Sequence, residues 1–491
     1  MSVLKKLAGQ TLIYGASNIL ARLLNILLTP IYTNQTDIIP TDDYGIFSSL
    51  YAYVAFANVI LTFGMETTFF RFVQQRPEKH IYNQAFLWVM TIATAVLGML
   101  AVFHPYVANW LEVGDRPILV LMLLGIIFLD VVAALPLAKL RHEDRIMRFS
   151  SIILTNVVVT LAANVIFVIW LRKGIEYVFL SNLIASAVRL SMALFQNAPS
   201  SLKPDRPVLR QMIDYGFFIM LGGVGYIINE TLDRIMIPKM WEDGQVFQGI
   251  AMTGETMTGI YSANYKVAIL IGLATQAFRY AVEPFFFKEA KKDKSPENFA
   301  KIFHYFTLAA LTGFLVLSSF AHEVVSFNFF GIFGEGKTFV GEEYWIGLPV
   351  VPILLGAYIF QGAYINISIW YKLTDQTRFA LLFTFSGALV TILINYFGIP
   401  IYGYMACAWA TLISYGLMAT MVYLFGQRYY PVPYRVSRLM LYGALCVGAF
   451  FLNSQIGPAG AHVLSWIFKI GICLGVVGIV GVLEKWKPLF R

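Results

Sequence analysis

Charged residues are scarce in this sequence. Asp, Glu, Lys and Arg together make up 13% of its 491 positions, against about 25% in ordinary soluble proteins. Cysteine is scarcer: Cys407, Cys446 and Cys473 all fall inside apolar stretches and form no CxxC pair, which supports neither a disulfide framework nor a zinc site. The 6 histidines are scattered, with no HExxH, and there is no GxxxxGK[ST] loop. Those spacings carry metalloprotease and P-loop chemistry. No polar stretch is long enough to form a soluble domain. The absences therefore predict a chain with no catalytic residues, metal or cofactor and no ATP hydrolysis of its own, so not an enzyme.

What is abundant is apolar side chain, at 58% of the residues. Windows of about 20 apolar residues are long enough to cross a bilayer. They predict spans near 7–33, 44–70, 84–108, 117–138, 149–171, 176–196, 211–237, 256–283, 302–322, 344–371, 379–398, 403–425, 439–455 and 463–483. The fold class expected is an all-α membrane protein of about 14 transmembrane helices. Short polar breaks such as DRP at 115–117 and SLKPDRP at 201–207 separate them. The first span follows MSVLKK directly; it is too long for a removable signal peptide and lacks a small-residue cleavage site, so it is expected to stay in the mature chain.

Loop charge tests this count. Assigning alternate loops to opposite faces places 25 Lys and Arg on one face. The other holds 5, namely Arg116, Arg172, Lys173, Lys239 and Lys337. A miscounted span would scramble that asymmetry. Basic loops stay inside, so the first face and both termini are expected in the cytoplasm. The net charge of +8 thus encodes orientation. It does not mark a nucleic-acid partner, because no basic face interleaved with aromatics exists.

A repeat appears when the second span is laid on the eighth. YGIFSS at 44–49 matches TGIYSA at 258–263, and ETTFFR at 66–71 matches EPFFFK at 283–288. The two spans run in the same direction. The expected organisation is two parallel six-helix lobes, 1–210 and 211–430, with two further transmembrane helices in 431–491. Transporters built from repeats place the substrate between them.

Ionisable residues inside spans need a partner or a wet cavity. The basic ones are Arg22, Arg189, Arg234, Lys266, Arg279 and Lys469; the acidic ones are Glu66, Asp130, Asp214, Glu230, Asp233 and Glu283. Glu230 with Arg234, and Arg279 with Glu283, are four apart and can pair on one helix face. Arg279, Glu66, Glu283, Asp214 and Lys469 lie near span ends, where side chains snorkel to water. Arg22 and Lys266 are deep and lack an opposite charge at helical spacing, so they lead as anion-cavity candidates, followed by Arg234 and Arg189. The structural alternative for Arg22 is an ion pair with Glu66, Asp130 or Asp233. Asn18 and Asn25 flank it, and Gly222, Gly223, Gly225 and Asn229 precede Arg234; such glycines allow close packing or bending.

A first span ending in LLTPIYT, followed by YGIFSSLYAYVAFANVILTFGMETTFFRF and the later TGIYSANYKVAIL, resembles the polysaccharide-biosynthesis flippases of the MOP exporter superfamily. That superfamily also holds the lipid II flippases and the MATE drug exporters. The resemblance implies a V-shaped two-lobe bundle that works by alternating access in a bacterial cytoplasmic membrane. Its substrate would be a polyprenyl-pyrophosphate-linked oligosaccharide. Polysaccharide polymerase and glycosyltransferase machinery would be its partners in cell-envelope biogenesis. Arg22 and Arg234 occupy the kind of position where lipid II flippases place cavity arginines. A pyrophosphate suits arginine's planar fork. Asp130, Glu230 and Asp233 become candidates for coupling movement to H+ or Na+.

Two other classes compete. A MATE-like cation-coupled exporter would want an acidic or apolar cavity, which Arg22 and Lys266 oppose. A membrane-embedded polysaccharide polymerase or ligase would want a large external loop, whereas the longest here, 238–255 and 323–343, hold no clustered acid–base pair.

Overall fold

A computed structural model describes residues 19–195, 197–289, 295–328, 336–374, 376–457 and 463–484. Among them, 12 helices are long and apolar enough to cross a membrane. In hydrocarbon every backbone N–H and C=O must bond internally, so an apolar run of this length is driven into helix. The two remaining expected spans fall on Ile19–Thr33, whose first part 7–18 lies outside the described residues, and on the long helix Gly254–Glu289. This is a multi-pass all-α membrane protein.

The chain divides into two compact units, Met1–Gly259 and Ile260–Arg491. The first holds α1 (Ile19–Thr33), α2 (Thr41–Thr62), α3 (Met65–Phe72), α4 (Glu78–Val102), α5 (His104–Trp110), α6 (Pro117–His142), α7 (Ile146–Asn164), α8 (Ile175–Leu194) and α9 (Arg206–Met240). Prolines and glycines set the breaks: Pro40 and Pro77 precede α2 and α4, and Pro117 opens α6. Between α2 and α3 the backbone turns through left-handed Phe63 and Gly64. A Cβ at Gly64 would come within 2.9 Å of the Gly216 carbonyl oxygen of α9. Gly223 admits Val59 in the same way. Small residues thus let α9 pack along α2, α3 and α4. The core around α6 is built from Leu50, Phe69, Tyr82, Ile126, Phe179 and Met212.

Loops assigned to one face of the membrane meet. At the face poor in basic residues, Arg116 bonds Asp43 at 2.7 Å and Arg172 pairs with Asp37. Burial opposes the Arg116 charge, but the carboxylates of Asp43, Glu176 and Asp115 around it together raise the guanidinium pKa. At the basic face, Arg141 pairs with Glu66, His142 faces Glu78 at 3.7 Å and His80 faces Asp205 at 3.0 Å. Asp205 also caps α9, accepting from Val208 N at 3.3 Å.

Beyond α9, β1 (Val246–Phe247) and β2 (Ile250–Ala251) form a small antiparallel hairpin before α10 (Gly254–Glu289). Here the repeat has a geometric echo. With the 214-residue offset, Thr41 corresponds to Glu255, Asp42 to Thr256 and Gly45 to Gly259. A Cβ on Gly45 would collide with the Glu255 carbonyl oxygen, and one on Gly259 would meet the Thr41 carbonyl oxygen at 2.6 Å. The Thr256 hydroxyl donates to its own counterpart, Asp42. The helix α9, which the repeat counts as the opening span of the second half, packs in the first compact unit.

The second unit comprises the rest of α10, α11 (Ser295–Ser319), α12 (Ala321–Val325), α13 (Val350–Ile367), α14 (Ile369–Leu373), α15 (Arg378–Tyr402), α16 (Tyr404–Tyr429), α17 (Val436–Ser454) and α18 (Val463–Leu483). Packing of α13 on α16 buries Ala357, Tyr415 and Met418. Buried polar groups pair off: Tyr358 donates to the Tyr265 hydroxyl at 2.7 Å and Gln361 to the Tyr415 hydroxyl at 3.0 Å. Side chains tie α17 to α11 and to the end of α18. Asn453 donates to Ser319 Oγ at 2.7 Å, and the Tyr442 hydroxyl donates to Glu484 at 2.5 Å.

Candidate functional site

Helix α1 consists of two unlike parts. It is interrupted by a turn at Leu27, and Pro30 has no N–H to continue the ladder. Past the turn, Leu28–Thr33 is buried throughout. Tyr32 donates to Asn164 Oδ1 at 3.0 Å, at the point where α7 opens into the π-helical turn Val165–Trp170. Before the turn, Leu20, Arg22, Leu23 and Asn25 are exposed. Arg22 lies 11 residues from Thr33, roughly 16 Å along the helix. Asn18 lies outside the described residues.

The three carboxylates that could neutralise Arg22 are each engaged elsewhere. Glu66 pairs with Arg141, Asp130 with Arg189 and Asp233 with Arg234. Arg22 has no ion pair among the described residues.

The Arg189–Asp130 pair joins α8 to α6, each side chain 19% exposed. The Tyr51 hydroxyl is buried within electrostatic reach of both. Arg234 folds back on its own helix: Nη1 donates to the Glu230 carbonyl oxygen at 2.8 Å and lies 3.3 Å from Asp233 Oδ1. The four-residue spacing of Glu230 and Arg234 thus brings the Glu230 carbonyl oxygen to the guanidinium. Lys266 belongs to the second unit, half-buried on α10. The structure thus brings together Arg189 with Asp130, and Arg234 with Asp233 and Glu230, while Arg22 has no ion pair among the described residues.

Two features escaped sequence reasoning. Lys469, read as snorkelling near a span end, is 5% exposed and pairs at 2.9 Å with Glu323, itself 8% exposed. Glu323 begins what reads as an external loop, so nothing in the sequence linked the two. His304 and Glu484 approach to 3.3 Å, a contact between α11 and the end of α18 that no spacing encodes. The Glu283 side chain, the expected partner of Arg279, lies outside the described residues. Among the described residues no group of three or more His, Cys, Asp or Glu could hold a metal.

The polysaccharide biosynthesis protein family matches residues 7–288, more than half of the chain. The chain belongs to that family. Its fold is that of MOP-superfamily transporters. The lipid II flippase MurJ in an inward closed conformation superposes with a TM-score of 0.67 at 12% identity, covering 96% of this chain and 99% of that one. An inward-facing multidrug resistance MATE transporter of the MOP superfamily gives 0.59 at 13% identity, covering 90% and 96%. A MATE protein in complex with MaD3S gives 0.57 at 14% identity, covering 89% and 97%. No curated protein matches the sequence. Family and fold together make this a multi-pass membrane protein of the polysaccharide biosynthesis family.

Proposed function

We propose that this protein flips a polyprenyl-pyrophosphate-linked oligosaccharide from the cytoplasmic to the outer leaflet of a bacterial inner membrane by alternating access, without catalysis. The observation that carries the reading is Arg22: a cation inside an apolar span, exposed, with Glu66, Asp130 and Asp233 each committed to another arginine. An arginine kept available inside a span is suited to a phosphate oxygen, because a charge-assisted fork is strongest where water is excluded. Family membership supports polysaccharide biosynthesis as the setting.

In this reading the halves are 1–210 and 211–430, followed by two added helices in 431–491. The reciprocal Gly45–Gly259 packing supports an axis along the membrane normal. Both termini face the cytoplasm, as the loop charges favour. Arg234, Arg189 and Lys266 are the further anion contacts. Asp130, Glu230 and Asp233 are the coupling acids. A proton on Asp130 would release Arg189 to the substrate, and one on Asp233 would do the same for Arg234; Na+ at these carboxylates is the alternative coupling. Glycosyltransferases and a polymerase would supply and consume the lipid-linked sugar.

The test is lipid-linked sugar transport in a strain lacking its own flippase, comparing wild type, Arg22→Ala and Arg22→Lys at matched membrane levels. Loss with Ala and partial return with Lys supports the anion site. Normal transport by both variants removes it. The likeness to MATE structures favours one second reading, a cation-coupled exporter. That reading gains if the wild type expels cationic drugs and leaves lipid-linked sugar unmoved.

A further inference from the structure

We propose that a proton-dependent clamp holds the last turn of α18 to α11. His304 and Glu484 fasten that end when the imidazole is charged and release it as the imidazole loses its proton. All the parts lie in the second compact unit. Helix α18 has little else to hold it. Among its described residues only Lys469 and Cys473 are buried, while Leu464, Phe468, Leu474 and Val482 are exposed. Apolar side chains gain little by leaving lipid for a neighbouring helix, because the tails are as apolar as they are. Attachment therefore rests on polar contacts.

These contacts stand toward the two ends of the helix. Near its start, Lys469 Nζ donates to Glu323 at 2.9 Å and to the Ser319 carbonyl oxygen of α11 at 3.1 Å. At its finish, Glu484 extends the helical ladder, its N–H reaching the Val480 carbonyl oxygen at 2.9 Å. The Glu484 side chain is 8% exposed and that of His304 on α11 is 7% exposed, with Nε2 lying 3.3 Å from Oε2. On the other carboxylate oxygen the Tyr442 hydroxyl donates at 2.5 Å and Arg438 Nη1 lies at 3.7 Å. Arg438 is 53% exposed, so water screens its charge. Among the described residues, the other charged or titratable groups facing the pair are Arg435, just before α17, and Tyr305, whose ring lies 5.8 Å from that of His304.

The chemistry of the pair makes it sensitive to protons. Neither ring nitrogen of His304 has an aligned hydrogen-bond partner among the described residues, so a neutral imidazole gains little from Glu484. An imidazolium gains a charge attraction in a covered site. Burial opposes the Glu484 charge, but Tyr442, His304 and Arg438 together hold its carboxyl below the usual carboxylate range. The carboxylate thus stays ionised, and histidine is the side chain whose charge changes between about pH 5 and 8. The clamp is tightest at the acid side of that window and loosens toward the alkaline side. The Lys469 contact contains no imidazole, so α18 stays fastened there and frays from the Glu484 end.

The experiment is hydrogen–deuterium exchange of the purified full chain in lipid nanodiscs at about pH 5.5 and about pH 8, each corrected for the intrinsic pH dependence of amide exchange. The expected result is protection of the amides of residues 480–484 about tenfold higher at the acid pH, with no change around Lys469. His304→Gln and Glu484→Gln each abolish the difference, from opposite sides of the contact, and Arg438→Gln keeps it. A thermal-unfolding midpoint near that of wild type shows that each variant is folded. The proposal is overturned if wild-type protection at 480–484 is equal at the two pH values, if His304→Gln or Glu484→Gln keeps the full difference, or if the amides around Lys469 change by the same factor. None of these outcomes depends on lipid-linked sugar being flipped, so this proposal and the proposed function fail separately.

Discussion

The seam between α6 and α8 and the exposed part of α1 each carry an arginine inside an apolar span, yet they treat it in opposite ways. At the seam, Arg189 is mostly covered and tied to Asp130. On α1, Arg22 is exposed and no carboxylate among the described residues reaches it. A buried charge is tolerated when it is paired, and a paired arginine holds helices together. An arginine without a carboxylate partner joins no helices by an ion pair, and in the proposed reading it serves the substrate's phosphate. The helix that carries Arg22 is itself divided, its other part sealed by packing and by the Tyr32–Asn164 bond. A firm anchor and a free-standing cation thus share one span.

The largest effect that would break this contrast is at the seam. Arg189→Ala leaves Asp130 buried without its cation, and losing one partner of such a pair costs about 3 kcal/mol. Membrane abundance and the thermal midpoint should fall, and adding Asp130→Ala should restore much of both. If Arg189→Ala is as abundant and stable as wild type, the seam is not structural. Next comes Arg22→Ala, expected to cut transport by roughly 10- to 100-fold, the worth of a charge-assisted hydrogen bond, with abundance unchanged. A fall in abundance matching that of Arg189→Ala would erase the difference between the two regions.

A smaller effect sharpens the division within α1. Tyr32→Phe removes one hydrogen bond and leaves Asn164 Oδ1 unpaired, a loss of about 1 kcal/mol. A lower thermal midpoint is expected, with Arg22-dependent transport persisting. The smallest effect belongs to Arg172→Ala at the membrane surface. Arg172 and Asp37 are 60% and 59% exposed, so the change should stay under about 1 kcal/mol and shrink further in high salt. A loss comparable to that of Arg189→Ala would show that exposure is a poor guide to what these pairs do.

The fold was largely legible in the sequence, because each apolar window had to become a helix. The loops that alternate in charge meet across the structure, Arg116 with Asp43 and Arg141 with Glu66. The contacts of Gly45 and Gly259 give a reason for glycine at both matched positions: a side chain at either would strike the other helix's backbone. The charges were legible as a set but not as pairs. Spacing along one helix suggested Glu230 for Arg234; the guanidinium also lies 3.3 Å from Asp233 Oδ1, the adjacent residue, and donates to the Glu230 carbonyl oxygen. Arg189 with Asp130, and Lys469 with Glu323, join helices distant in sequence. No periodicity records such contacts, since they depend on which helix faces turn toward each other.

The central claim is that Arg22 contacts the anionic head of the substrate. The most direct measurement is binding of an undecaprenyl-pyrophosphate-linked oligosaccharide to the purified chain, comparing wild type with Arg22→Lys and Arg22→Ala, each checked for an unchanged thermal midpoint. The account predicts that Ala weakens binding about tenfold or more while Lys stays within a few-fold of wild type. Equal affinity across all three proteins would contradict it.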